Sequence, residues 1–233
     1  EGTSSLVLDV KFGSGAFMRD YADARTLAAT MVELGAAHSV RTVALLTDMN
    51  TPLGYAVGHS IEVEESVEVL AGGGPADVVE LTLALADEML AVAGITGVDP
   101  AAALRDGRAM DAWRAMVRAQ GGDPDAPLPV APESHQVLAD RDGYVTAVDA
   151  RGVGVAAWRL GAGRARKEDP VSASAGVLLH RRPGDQVRAG DVLMELRTED
   201  RGRLPAALAD VASAVTIGPD RPEPVVLVRE RIR

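Results

Sequence analysis

Apolar positions along the chain alternate between a strand-like and a helix-like period. The stretch LVLDVKFGSGAFM, Leu6 to Met18, opens with aliphatic and β-branched residues and passes through Asp9, Val10 and Lys11. It then reaches the turn Gly13-Ser14-Gly15, followed by Ala16, Phe17 and Met18. A run of this kind closed by charge and glycine predicts a buried parallel strand feeding a loop. In open α/β sheets, ligands sit beyond the carboxyl ends of such strands. From Asp20 to His38 the period becomes helical, with Tyr21, Ala24, Leu27, Ala28, Met31 and Leu34 on one face. Asp20 is placed to cap that helix, Asp23 favours its first turn, and Gly35 with the small residues after it is expected to end it. RTVALLT, Arg41 to Thr47, predicts a second buried strand, so the first 48 residues read as a βαβ unit.

The next segment is irregular around Pro52, Gly54 and Gly58, then helical from Ile61 to Leu70. Glu62, Glu64, Glu65 and Glu68 crowd that helix and read mainly as a solvated face. One of them could meet free backbone carbonyls of the glycine-rich turn, and an all-oxygen site of that kind suits a hard cation. After the loop Gly72-Gly73-Gly74, Pro75 opens a long amphipathic helix that ends at Gly94. A short helix is expected near Pro100 to Gly107. Another, Met110 to Gln120, is expected to bury Met110, Trp113, Met116 and Val117. The proline-rich stretch around Asp123 to Pro132 reads as a linker.

Beyond the linker the pattern predicts short strands. A hairpin is expected from Val137–Ala139 and Tyr144–Val148 about an Asp142-Gly143 turn. Val153 to Leu160, read within the same strand-rich stretch, runs into Gly161-Ala162-Gly163-Arg164. Val177–His180, Gln186–Arg188 and Val192–Leu196 form a compact β unit whose Gly184-Asp185 and Gly190-Asp191 pairs are turn chemistry. Leu204–Val215 reads as a helix and Pro224–Val228 as a last strand. The domains expected are residues 1–122, a linker at 123–133, and residues 134–233.

Composition narrows the function. The 233 residues carry a formal charge of −10, which argues against nucleic acid as a main partner. The absence of cysteine excludes disulfides, zinc–thiolate sites and thiol nucleophiles. No apolar run approaches the roughly 20 residues of a membrane span, and no signal peptide is visible, so a cytoplasmic location and no membrane partner are expected. Lys11 and Lys167 are the only lysines. The chain opens at Glu1 and reaches a buried strand within a few residues, as the back part of a longer protein would.

Three long runs carry a resemblance: EGTSSLVLDVKFGSGAFM (Glu1 to Met18), RTVALLTDMNTPLGYAVGHSIEVEE (Arg41 to Glu65) and GGPADVVELTLALADEML (Gly73 to Leu90). Together they resemble the pyrimidine-nucleoside phosphorylase family. DRDGYVTAVDARGVGVAAWRLGAGRAR (Asp140 to Arg166) and GDQVRAGDVLMEL (Gly184 to Leu196) resemble that family's C-terminal domain. The resemblance implies an α/β fold, in which a parallel-sheet βαβ lobe, the latter part of the phosphorylase α/β domain, precedes a smaller α+β barrel-sandwich domain. It implies phosphorolysis of thymidine and other pyrimidine nucleosides, a pentosyl transfer with inorganic phosphate as co-substrate, in pyrimidine salvage by a homodimer.

By the same resemblance Phe17 and Met18 form a wall of the base pocket. Leu53 and Ala56, through their carbonyls, and Glu65, through its carboxylate, hold a potassium-like monovalent cation. Asp9 and Lys11 end the strand and organise the loop through a local ion pair. His59 is expected to lie on the surface or cap a helix, and His38, His135 and His180 lack metal spacing.

The family's phosphate-binding segment, of the type Lys-His-Ser-Thr-Gly-Gly, and its base-holding arginine, serine and lysine have no counterpart in these residues. No catalytic residue is therefore assigned within the chain, and residues 1–233 alone are expected to be inactive. The other readings are an inactive fragment or the structural half of a nicked enzyme, partnered by an N-terminal part or second chain. Related nucleoside-monophosphate phosphorylases and anthranilate phosphoribosyltransferase-like enzymes fit the wording less well. A biotinyl- or lipoyl-type carrier is disfavoured because Leu196-Arg197-Thr198-Glu199-Asp200 contains no lysine.

Overall fold

The computed structural model of the chain describes residues 2–233. In chain order its elements begin β1 (Ser5–Phe12), α1 (Tyr21–Ala37), β2 (Arg41–Asp48), β3 (Ala56–Gly58) and α2 (Ser60–Leu70). Then follow α3 (Ala76–Ala93), α4 (Pro100–Arg105), α5 (Arg108–Ala119), β4 (Glu133–Leu138), β5 (Gly143–Val148) and α6 (Ala150–Ala157). The last are β6 (Gly176–Leu179), β7 (Gln186–Val187), β8 (Val192–Thr198), α7 (Leu204–Val211), β9 (Val215–Gly218) and β10 (Val228–Ile232). They pack as two units. One comprises the residues up to Met49 with Glu68–Pro124 and Val225–Arg233; the other comprises Asn50–Val67 with Asp125–Pro224.

The expected linker at 123–133 contains one crossing between the units, at Pro124 and Asp125, but a contiguous division does not describe the rest. Strand pairing is the reason. β3 pairs with β6, which draws Asn50–Val67 into the second unit, and β10 pairs with β2, which draws the last nine residues into the first.

In the first unit β1 and β2 run parallel, in register from Ser5↔Arg41 to Phe12↔Asp48. β2 is central, with β10 antiparallel on its other edge. Residues Thr42–Thr47 are all buried, as a strand covered on both faces requires. One face presents Val10, Phe12, Ala44 and Leu46 to Ala24 and Ala28 of α1. The opposite face, with Val43 and Leu45, lies under α3. Asp20 caps α1 by accepting from the amides of Ala22 (2.8 Å) and Asp23 (3.2 Å).

The small residues of α1 do the close packing, and Leu34 is exposed rather than buried. Gly35 does not stop the helix. A Cβ there would overlap the Thr42 hydroxyl, so glycine lets the last turn approach β2. The helix ends after Ala37, where Ser39 takes φ 59°. α5 is another departure: it packs chiefly on α4, none of its residues is buried, and Met116 is half exposed.

β10 begins four residues later than the strand expected at Pro224. Its alternation is charged as well as apolar. Ile232 joins the α1 face, and Glu230 on that face receives Arg25 (3.0 Å) and the Tyr21 hydroxyl (2.5 Å). Arg231 and Arg233 turn the other way and meet the buried Glu88 of α3 at 3.0 and 2.8 Å.

The second unit has a four-stranded sheet in the order β3-β6-β8-β4 and a three-stranded sheet in the order β7-β5-β9, all pairs antiparallel. Val145, Val148, Val153, Leu160, Val177, Met194, Leu196 and Val211 share one core. The expected hairpin of β4 with β5 is not formed, because β4 pairs with β8 while β5 pairs with β7 and β9. Val153–Leu160 is helical: Asp149 caps α6 through the amides of Arg151 and Gly152. The chain continues through Trp158–Ala162 with a kink at Gly161, whose φ of 118° is not helical. The spacing of Val153, Ala156, Ala157 and Leu160, all buried, is that of a helix face. α7 stops at Val211, short of the expected Val215, because Val215 already belongs to β9.

Two measurements test this account. Leu46→Ala, at a side chain with no exposed surface, is expected to cost about 2–5 kcal/mol in urea unfolding of the first unit. The second concerns acid. The Tyr21 hydroxyl and then the Arg25 guanidinium hold the Glu230 carboxyl below the ordinary glutamate range. The ionised contact therefore favours the fold above the unfolded value of roughly 4.3 and is lost as pH falls through the lower folded value. Glu230→Gln is expected to flatten the fall in stability as pH drops from roughly 4.3 through the lower folded value.

Candidate functional site

The C-terminal ends of β1 and β2 carry a polar cluster in an otherwise apolar sheet. Lys11 Nζ donates to Asp9 Oδ2 at 2.7 Å and approaches Thr47 Oγ1 at 3.4 Å. The Thr47 hydroxyl donates to Asp9 Oδ1 at 2.5 Å. Asp9 and Lys11 are two apart on β1 and so share a face, and Thr47 is the register partner of Lys11. The ion pair lies within β1, and the Thr47 hydroxyl ties it to β2. Thr47 was not singled out from the sequence; its signal was a hydroxyl inside an otherwise aliphatic buried run.

The loop that follows is held by its own backbone. Gly13 N donates to Met18 O (3.1 Å), Ala16 N to Gly13 O (3.1 Å) and Gly15 N to Met49 O (3.0 Å). Gly13 takes φ 120°, in the region that favours glycine. Met18 is half-buried against the α1 face of the sheet, whereas Phe17 is 98 % exposed. An aromatic ring left wholly in water forgoes about 1.5–3 kcal/mol of burial. The loop therefore presents apolar surface rather than packing it.

The remaining predicted residues belong to the second unit. Glu65, on α2, accepts through Oε1 from the amides of Tyr55 (2.6 Å) and Ala56 (3.1 Å). β3 is an edge strand, and Leu179 N donates to Tyr55 O at 2.7 Å. With Ala56 opposite Leu178, the amide and carbonyl of Ala56 consequently point away from β6, toward the outer edge where Glu65 lies. The Glu65 carboxylate and the outer backbone edge of Ala56 are thus brought together, and with the Leu53 carbonyl they would make an oxygen-only donor set containing one carboxylate. That chemistry fits a monovalent cation of low charge demand, and these residues would hold it. Among the described residues no group of three or more His, Asp or Glu side chains is placed for a metal ion.

His59 lies just before α2, with Nε2 2.5 Å from the Ala162 carbonyl. At the segment compared with carriers, Thr198 is fully buried and its hydroxyl donates to Leu160 O at 2.7 Å, so the middle of the segment is core strand and only Glu199 and Asp200 beyond it are exposed. A cavity of about 500 Å³ elsewhere in this unit is lined by Trp158, Arg159, Arg164, Asp169 and Arg203. Its arginines are engaged, Arg159 with Asp210 and Arg203 with Asp200, and no sequence motif pointed to it.

Residues 144–218, from β5 to β9, match the family described as "Pyrimidine nucleoside phosphorylase C-terminal domain". The chain belongs to the pyrimidine-nucleoside phosphorylase family. It is 56 % identical over 232 residues to the protein named "Thymidine phosphorylase" of Mycobacterium tuberculosis (strain CDC 1551 / Oshkosh), a match covering 100 % of this chain and 54 % of that protein. It is 40 % identical over 206 residues to the "Pyrimidine-nucleoside phosphorylase" of Geobacillus stearothermophilus, covering 84 % and 48 %. It is 36 % identical over 227 residues to the protein of the same name from Staphylococcus aureus (strain USA300), covering 93 % and 52 %. The chain spans about half the length of the curated relatives it matches.

Local packing around β3 is tight. A Cβ on Gly58 would lie 2.6 Å from Ala175 O and 3.1 Å from Gly176 Cα, both backbone atoms. Gly58→Ala is expected to destabilise the second unit by about 1–3 kcal/mol, read as a lower urea midpoint.

Proposed function

We propose that this chain supplies part of a pyrimidine-nucleoside phosphorylase that takes thymidine and related nucleosides. The observation that carries this reading is the likeness, over the full length of the chain, to a relative named thymidine phosphorylase. In the reaction, an oxygen of inorganic phosphate forms a bond to the anomeric carbon as the N-glycosidic bond breaks. The bond electrons leave with the pyrimidine, which takes up a proton, and (deoxy)ribose 1-phosphate remains. Such chemistry needs the base held flat, water excluded and the phosphate oriented.

Phe17, exposed on a loop fixed by backbone hydrogen bonds, is suited to pack against a planar base, and Met18 anchors the same loop in the sheet. Asp9, Lys11 and Thr47 hold the strand end from which that loop departs. Leu53, Ala56 and Glu65 would hold a potassium-like cation, which would supply fixed positive charge for the chemistry of an anionic co-substrate. The enzyme acts in the cytoplasm, as a homodimer, in pyrimidine salvage. Among the described residues no helix is long and apolar enough to cross a membrane. The phosphate-binding segment and the arginine, serine and lysine that hold the base come from outside these 233 residues, which act as a structural half; a carrier role is not favoured, given the buried Thr198.

Purified residues 1–233 are expected to show no thymidine phosphorolysis, and mixing with an N-terminal fragment of a relative is expected to restore it. Turnover by the chain alone would overturn the division of labour. In a full-length enzyme carrying this sequence, Phe17→Ala is expected to raise KM for the nucleoside several-fold. It should leave stability within about 0.5 kcal/mol, since the ring packs against nothing in the fold.

A further inference from the structure

The backbone between β2 and β3 is gripped from two directions within the second unit. On one side, the Glu65 carboxylate takes the amides of Tyr55 and Ala56. On the other, Arg182 reaches in from the turn between β6 and β7. Its two terminal nitrogens donate to Gly54 O at 3.0 Å and Pro52 O at 3.1 Å, and its guanidinium carbon lies 5.1 Å from the centroid of the Tyr55 ring. The carbonyl between those two acceptors is that of Leu53. Arg182 is itself well anchored: its amide donates to Asp185 Oδ2 at 2.8 Å, and its carbonyl accepts from the Asp185 amide at 3.0 Å. Gly184 closes the turn at φ 99°. Gly54, at φ 71°, reverses the loop where the guanidinium meets it.

We infer that Arg182 is the positioning residue of the cation-holding loop. By taking the carbonyls of Pro52 and Gly54 and stacking on Tyr55, it fixes the backbone on both sides of Leu53, while Glu65 fixes the backbone at Ala56. The planar fork is what the task demands, since two carbonyls are met at once by two parallel donors of one rigid group. This inference rests on the cation reading proposed above, but it makes a claim that charge alone would reverse. Coulomb repulsion between a guanidinium and a bound cation predicts that removing Arg182 tightens cation binding. Positioning predicts that removal weakens it.

The test compares the wild-type 233-residue chain with Arg182→Met, Arg182→Lys and Glu65→Gln. Each is titrated with potassium chloride against tetramethylammonium chloride at constant ionic strength, following the thermal midpoint, and hydrogen exchange is measured over residues 52–58. Arg182→Met is expected to lower the apparent potassium affinity and speed exchange at Tyr55 and Ala56, each by about ten-fold, the scale of losing hydrogen bonds from a charged donor. Arg182→Lys keeps the charge but not the fork, so it should fall in the same direction and serves if the methionine variant folds poorly. Glu65→Gln should weaken potassium binding by removing the carboxylate ligand.

Equal or tighter potassium binding in Arg182→Met, or wild-type exchange at Tyr55 and Ala56, would overturn the positioning role. A wild-type chain with no saturable potassium response would instead overturn the cation reading, and with it the link from Arg182 to a cation. Faster exchange in the arginine variants would then identify a purely structural clamp.

Discussion

A strand buried on both faces can keep a polar side chain only by giving it a partner, and β2 imposes that condition on the first unit. Six consecutive residues, Thr42–Thr47, are out of water. The hydroxyl that closes the run, on Thr47, is satisfied by Asp9, and Asp9 in turn holds Lys11. This chain of contacts leaves the end of β1 rigid where the loop to Phe17 departs. The same strand accepts β10 on its far edge, where opposite charges on alternate residues of β10 find α1 on one face and α3 on the other. Buried ion pairs add little net stability compared with apolar packing, but they penalise a shifted register strongly. The Glu88 contacts with Arg231 and Arg233 therefore specify where the last strand lies.

The second unit is organised differently. Its core is antiparallel and local in sequence from β4 to β9, yet it needs one strand from far upstream. β3 is only three residues long and sits at an edge, so its ladder alone is a weak tether. The tether is strengthened by groups that bind backbone rather than one another: Glu65 at two amides and Arg182 at two carbonyls. A short edge strand closed in this way has its outward amides at Ala56 and Gly58 used within the protein, which also guards against unwanted pairing. The repeated Arg-x-Gly-Asp turns at 182–185 and 188–191 help. In each, the aspartate accepts from the arginine amide three residues earlier, so the chain reverses with little freedom left in it.

Much of this was legible in the residues. The strand–helix–strand opening, the Asp20 cap, the glycine that closes α3 at φ 72° and the start of α2 all follow from local chemistry. The errors share a cause. α6 lies in a glycine-rich stretch, Ala-Arg-Gly-Val-Gly-Val, that suggested strands, although Asp149 and the spacing of its buried residues carried a helical signal. From the sequence the last strand falls four residues early, because the charges of Val-Arg-Glu-Arg-Ile fit a strand only once Glu88, Arg25 and Tyr21 are brought to them. The hairpin of β4 with β5 satisfied every local rule and was displaced by a longer-range partner.

The sequence by itself determined the family, the central parallel pair and the residue types fit for each task, because periodicity, capping and motif wording are properties of neighbouring residues. Tertiary structure alone decided which strands pair, that residues 50–67 and 225–233 change units, and that Arg182 meets the loop at Leu53. Those outcomes depend on groups far apart in the chain, more than a hundred positions for β3 with β6, β10 with β2 and Arg182 with Gly54. No local pattern encodes those pairings; burial and register resolve them.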